Sequence, residues 1–121
     1  MVFNNNKPIY LQIVDRIMDS IVAGEYGAGE RIPSVREYAA AVEVNPNTAM
    51  RAYEWLQRYE LIFNKRGIGY YVEPEAMKRI LIMRKEKFFK DEAGYFFGRI
   101  ASFGITPEEL DELYRTYLAN K

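Results

Sequence analysis

Asn45, Asn47 and Thr48 set three short polar side chains around a proline, Pro46, and Arg51 follows shortly after. Asn45 suits a helix N-cap and Pro46 a first helical position, so the cluster marks a helix start. Side chains of these types are hydrogen-bonding groups. An asparagine amide matches the paired edge groups of adenine, and threonine bonds a base or a phosphate. Arg51, one turn into the helix, reaches phosphate or guanine, and the helix N-terminus itself favours phosphate. Capping alone also accounts for Asn45, so both roles stay open for it. Arg36 lies near a second helix start, where it can clamp a nucleic-acid backbone. Lys65 and Arg66, followed by Gly67, form a basic turn suited to the minor groove or its phosphates.

Bond-breaking chemistry is poorly served. The 121 residues include no His and no Cys, which removes the imidazole base, the thiol nucleophile, the disulfide and the usual zinc ligands. The dense carboxylate cluster Glu108, Glu109, Asp111 and Glu112 opens a helix, where acids complement the dipole. Gly67 and Gly69 are turn residues, because no Gly-Lys-Ser/Thr phosphate cradle follows them. The sequence predicts no catalysis, no metal and no cofactor. No apolar run approaches the roughly 20 residues of a membrane span, and the start has no signal-peptide core. The expectation is a soluble cytoplasmic protein without a membrane partner.

Seventeen Lys and Arg balance 17 Asp and Glu. A zero sum argues against a nucleic-acid partner only until its distribution is considered. Residues 25–43 carry four acids against Arg31 and Arg36, whereas residues 44–72 carry Arg51, Arg58, Lys65 and Arg66 against Glu54 and Glu60. The polar cluster and the basic turn are thus locally cationic in a neutral chain, which predicts weak non-specific attraction to DNA.

The elements that must hold these groups follow from periodicity. Ile13, Val14, Ile17, Met18, Ile21 and Val22 recur at helical spacing over 9–23. Ser34 and Glu37 form a capping box that opens a helix reaching about residue 42, with Val35, Tyr38, Ala39 and Val42 inward. The helix from 46 to about 59 turns Ala49, Ala52, Tyr53 and Leu56 to the core. Two short strands, 61–64 and 70–72, flank the basic turn as a hairpin. Three helices followed by such a hairpin make a winged helix-turn-helix, whose third helix enters the major groove.

With Pro8-Ile9-Tyr10, Gly29-Glu30-Arg31-Ile32-Pro33-Ser34-Val35-Arg36-Glu37, Val44-Asn45-Pro46-Asn47-Thr48, Arg51-Ala52-Tyr53 and Lys65-Arg66-Gly67-Ile68-Gly69 in this order, residues 8–73 resemble the DNA-binding domain of the GntR family of bacterial transcription regulators. The Asn-Pro-Asn-Thr form and the short C-terminal region resemble the YtrA subfamily, which carries a compact helical dimerisation appendage. The resemblance implies a repressor with double-stranded DNA as partner, contacted by Arg36, Asn45, Asn47, Thr48, Arg51 and the Gly67 region. The chain departs from the family pattern at Pro46 and Met50, where Arg is common. It departs again at Glu43 and Glu60, often Gly, and at Tyr70, often Thr.

The C-terminal region reads as one helix over 75–103 and a second from a capping box at Thr106 and Glu109. The expected architecture is mainly α with a small β-hairpin. A winged helix-turn-helix domain (1–74) precedes a two-helix dimerisation appendage (75–121). So short an appendage cannot bury much apolar surface alone. Its stripe of Ile82, Phe89, Phe96, Ile100 and Phe103 therefore predicts a homodimer interface. A small-molecule effector is a further partner the sequence leaves open, with Tyr95, Tyr114 and Tyr117 as candidate linings. The competing reading is a winged-helix protein-interaction module without specific DNA binding. Salt separates the two, since DNA affinity falls steeply as phosphate counterions compete.

Overall fold

The computed structural model describes residues 3, 4 and 6–121. Met1, Val2 and Asn5, part of the N-terminal stretch read above, lie outside them. The chain divides into two compact units, Met1–Ile82 and Met83–Lys121. The first unit contains α1 (Ile9–Val22), α2 (Val35–Val42), α3 (Pro46–Arg58), β1 (Ile62–Lys65), β2 (Gly69–Val72) and the start of α4 (Ala76–Asp91). The rest of α4, α5 (Ala93–Ser102) and α6 (Pro107–Ala119) belong to the second.

In the first unit α3 packs against α1, α2 and β1. The stripe Ala49, Ala52, Tyr53 and Leu56 is buried as its spacing predicts, and so are Val35, Tyr38, Ala39 and Val42 of α2. β1 and β2 pair antiparallel, with Phe63 opposite Tyr71 and Lys65 opposite Gly69. Arg31 bridges to Tyr71, and Val72 N donates to Glu30 O, so the segment before α2 lies along the free edge of β2. Ala76 and Ile80 are buried in this same core. The first unit therefore runs past the boundary expected at residue 74.

The second unit differs from expectation in its helix count. Where the apolar pattern predicts one helix over 75–103, the structure interrupts it at Glu92, with φ −125° and ψ −34°. Three helices therefore follow the wing. Glu92 N still donates to Phe88 O, and Phe96 N donates to Glu92 O. The bonds on either side keep the helical phase, so the apolar stripe continues while the backbone breaks. Gly94, next to the break, lowers helix propensity there. Thr106 caps α6 as expected: its Oγ1 accepts from Glu109 N at 3.2 Å. Among the described residues no helix is long and apolar enough to cross a membrane, and no acidic cluster could hold a metal.

Candidate nucleic-acid interface

Asn45 ends an extended approach and caps α3: its Oδ1 accepts from Asn47 N at 2.7 Å. Pro46 has no N–H, and Thr48 N donates to Asn45 O. The first turn is therefore satisfied from within, and the phosphate-binding N–H groups expected of this helix end are already engaged. The Asn47 and Thr48 side chains make no hydrogen bond among the described residues, so their donors and acceptors remain available to a ligand. Thr48 is half-buried, while Asn47 and Arg51, one turn apart, are exposed on the same side of α3.

Burial of the opposite face fixes how α3 presents these groups. Tyr53 is fully buried, and its hydroxyl donates to Pro33 O at 2.6 Å. Its ring meets Tyr70 of the wing edge-on at 5.0 Å between centroids. One side chain thus ties α3 to both the segment before α2 and the hairpin. Burial pushes the Tyr53 hydroxyl far above its ordinary range, so it stays a neutral donor.

Arg36 projects from the first turn of α2, exposed and without an ion pair among the described residues. The box beneath it is complete: Ser34 Oγ accepts from Glu37 N at 3.1 Å, and Glu37 Oε1 accepts from Ser34 N at 2.9 Å. Those bonds, with a smaller contribution from Arg31, hold the Glu37 carboxyl below its ordinary value.

The wing tip is Arg66, Gly67 and Ile68, closed by Ile68 N donating to Lys65 O at 2.9 Å. Gly67 has φ +76°, a left-handed conformation that other residues enter only with strain. Lys65 belongs to β1, and its Nζ lies 4.4 Å from the centroid of the Tyr71 ring. Tyr71 in turn stacks on Phe63 across the pair.

The structure brings Asn45, Asn47, Thr48 and Arg51 together on α3 and Lys65, Arg66 and Gly67 at the wing, all within one compact unit with Arg36. Sequence reasoning missed the side chains that hold this set. Tyr10 is one: the Arg51 guanidinium lies 4.1 Å from its ring centroid. Tyr71 is another, and the hairpin register would have found it as a diagonal neighbour of Lys65. Gln12 is a third. It is buried, its Nε2 donates to Asn4 O and Lys7 O, and its Oε1 accepts from Asn4 N, which straps the N-terminal segment onto α1.

The stripe singled out in the C-terminal region is largely uncovered. Ile82 is 48% exposed, Phe89 59%, Phe96 44% and Phe103 65%, with Ile100 half-buried. Phe96, Ile100 and Phe103 line a groove of about 590 Å³ together with Phe88, Tyr95 and Ile105. Tyr114 and Tyr117, the other aromatic candidates for an effector, do not line it.

The sequence pattern of the bacterial regulatory proteins, gntR family, matches residues 9–72. The chain is 36% identical to the HTH-type transcriptional regulator YhcF of Bacillus subtilis over 115 residues, covering 95% of this chain and 93% of that one. It is 32% identical to the HTH-type transcriptional repressor YtrA of the same organism, over 89% of this chain and 82% of that one. A crystal structure of a GntR-family regulator from Bacteroides thetaiotaomicron superposes with a TM-score of 0.78 at 48% identity, over 93% of this chain and 97% of that one. The matched span contains the Ser34–Glu37 capping box, the polar face of α3 and the wing, and the relatives are regulators of transcription, not enzymes. The chain belongs to the GntR family, as a short DNA-binding transcription regulator of the YtrA type.

Proposed function

We propose that this regulator is a homodimeric repressor of a roughly palindromic operator, two first units reading two half-sites related by the dimer axis. The observation that carries the reading is the outward side of α3, where Asn47, Thr48 and Arg51 keep their side-chain donors and acceptors unused above a fully buried opposite face. In this arrangement Asn47, Thr48 and Arg51 select bases. Arg36, Lys65 and Arg66 hold phosphates, and Gly67 allows the wing backbone to come close. Asn45 serves mainly as the cap, with its amide hydrogens left to donate.

Residues Met83–Lys121 serve as the dimerisation region. Within that unit Ala93 is the buried apolar residue, while Phe89, Phe96, Phe97 and Phe103 stand exposed. A second copy would cover that surface, at roughly 25 cal/mol per Å² of apolar area removed from water. Repression accords with the repressor named among the relatives. A DNA-bound regulator of this kind works in the cytoplasm.

In vitro selection from a random duplex pool tests the operator reading. The expected result is one enriched sequence with two inverted half-sites about one helical turn, ~34–36 Å, apart. Affinity should fall steeply with salt. Enrichment of no sequence, or a flat salt response, would sink the reading and favour a protein-docking role.

A further inference from the structure

Cations of the first unit that have a side-chain partner are either paired with a carboxylate or held over a ring, and the second kind includes Arg16, 5.3 Å from the Phe3 ring centroid. Lys7, Arg31 and Arg79 are ion-paired with Asp15, Glu37 and Glu60. Arg51 and Lys65, on the recognition helix and the wing, have no such partner among the described residues; each lies over a tyrosine ring instead, Tyr10 for Arg51 and Tyr71 for Lys65. Carboxylates were within reach in the sequence: Glu54 follows Arg51 at i+3 on the same helix, yet no ion pair forms.

The two kinds of partner have different consequences for a DNA-reading cation. A carboxylate takes up guanidinium N–H groups and cancels the charge, so both must be recovered before the arginine can meet a base or a phosphate. A ring attracts the cation through its quadrupole and accepts no N–H in the way a carboxylate oxygen does. The guanidinium keeps its charge and its fork of donors while losing conformational freedom. Tyr10 is suited to this holding role. It lies in the first turn of α1, is half-buried against the core, and faces α3 across the α1–α3 packing. Gln12, two residues further along α1, fixes the approach to the helix through its bonds to Asn4 and Lys7.

We propose that Tyr10 is a positioning residue for DNA recognition: its ring holds the Arg51 guanidinium in place before binding, with charge and donors intact for base readout. The proposal rests on the reading of α3 as the operator-reading helix. Tyr10 itself touches no base; it acts through Arg51.

The test uses the full chain and the duplex that the wild type enriches from a random pool. Affinity is measured by fluorescence anisotropy for wild type, Tyr10→Phe, Tyr10→Leu, Arg51→Ala and the Tyr10→Leu/Arg51→Ala pair, each checked for folding by thermal melting. Tyr10→Phe keeps the ring and is expected to stay within about twofold of wild type. Tyr10→Leu is expected to bind about three- to tenfold more weakly, because Arg51 must then be ordered on binding. It should also discriminate less against duplexes carrying single-base replacements. In the Arg51→Ala background the Tyr10→Leu change should cost nothing further, as a structural role would not. An equal loss in both backgrounds, a loss in Tyr10→Phe as large as in Tyr10→Leu, or no loss at all overturns the proposal while leaving the operator reading intact. Enrichment of no duplex by the wild type overturns both. A second readout needs no variant that must fold: in the free wild-type protein the Arg51 side-chain protons should show upfield ring-current shifts in NMR, and their absence also overturns the proposal.

Discussion

Tyr53 joins three parts of the first unit through one side chain. Its hydroxyl donates to Pro33 O, its ring meets Tyr70 edge-on, and its backbone lies in the middle of α3. Tyr53→Phe keeps the packing and removes the donor, leaving the Pro33 carbonyl without it. The expected loss is about 1–2 kcal/mol, read as a lower midpoint in chemical denaturation. Glu37 gives a second expectation, in pH. Its bonds to Ser34 hold the folded carboxyl below the ordinary 4.5, so its contribution is present in full above that value and lost as pH falls through the lower folded value. The melting-temperature difference between wild type and Glu37→Ala should therefore be constant near neutrality and shrink on acidification below that ordinary value. A difference that grows on acidification would contradict the capping assignment. Arg36, Asn47 and Thr48 were legible as candidates because nothing local needs their functional groups. Tyr10 was not, since no spacing rule links the first turn of α1 to Arg51 on α3.

The elements are as legible as their ends are marked. Ser34 with Glu37, Asn45 with Pro46, and Thr106 with Glu109 each fix a helix start, and all three starts stand where the sequence puts them. The interruption at Glu92 has no such mark. Neighbouring bonds preserve the helical phase across it, so a pattern read only by periodicity passes over the break. The other departure from regularity was visible in the sequence as a family mismatch. Glu43 and Glu60 replace the glycines common in the family, and both adopt φ +58° at the ends of α2 and α3. For Glu43, the C-cap of α2, the left-handed conformation carries a steric cost that glycine avoids. Glu43→Gly is expected to stabilise the fold by about 0.5–1 kcal/mol, the strain relief exceeding the added unfolded-state entropy. Thermal melting reads it as a rise of a few degrees, with Glu43→Ala giving none. At Glu60 the same change would also remove the carboxylate that pairs with Arg79, so its benefit should be smaller.

At the scale of the molecule, a well-buried first unit is joined through α4 to a second unit that leaves most of its aromatic surface exposed. The proposed dimer accounts for that contrast, and it makes operator affinity depend on two linked half-sites. A charge placed on the exposed stripe should separate the two functions. Phe96→Asp is expected to convert the dimer to a monomer in light scattering, because an unpaired carboxylate cannot be buried cheaply at an interface. Binding to a duplex with both half-sites should then weaken at least tenfold, the loss of linked binding, while binding to a single half-site stays unchanged. Equal weakening on both duplexes would place Phe96 in the fold of the reading unit instead of the interface.

The closed first turn of α3 also has a calorimetric consequence. Asn45 and Pro46 satisfy or remove every early donor before any nucleic acid is present, so the reading helix need not fold onto its target. Association should then resemble the docking of a preformed surface. Its heat capacity change should match the apolar area covered at the contact, without the large negative excess of a segment that orders on binding. Titration calorimetry at several temperatures would show a shallow slope of enthalpy against temperature. A steep one would mean that the turn opens and re-forms around the DNA.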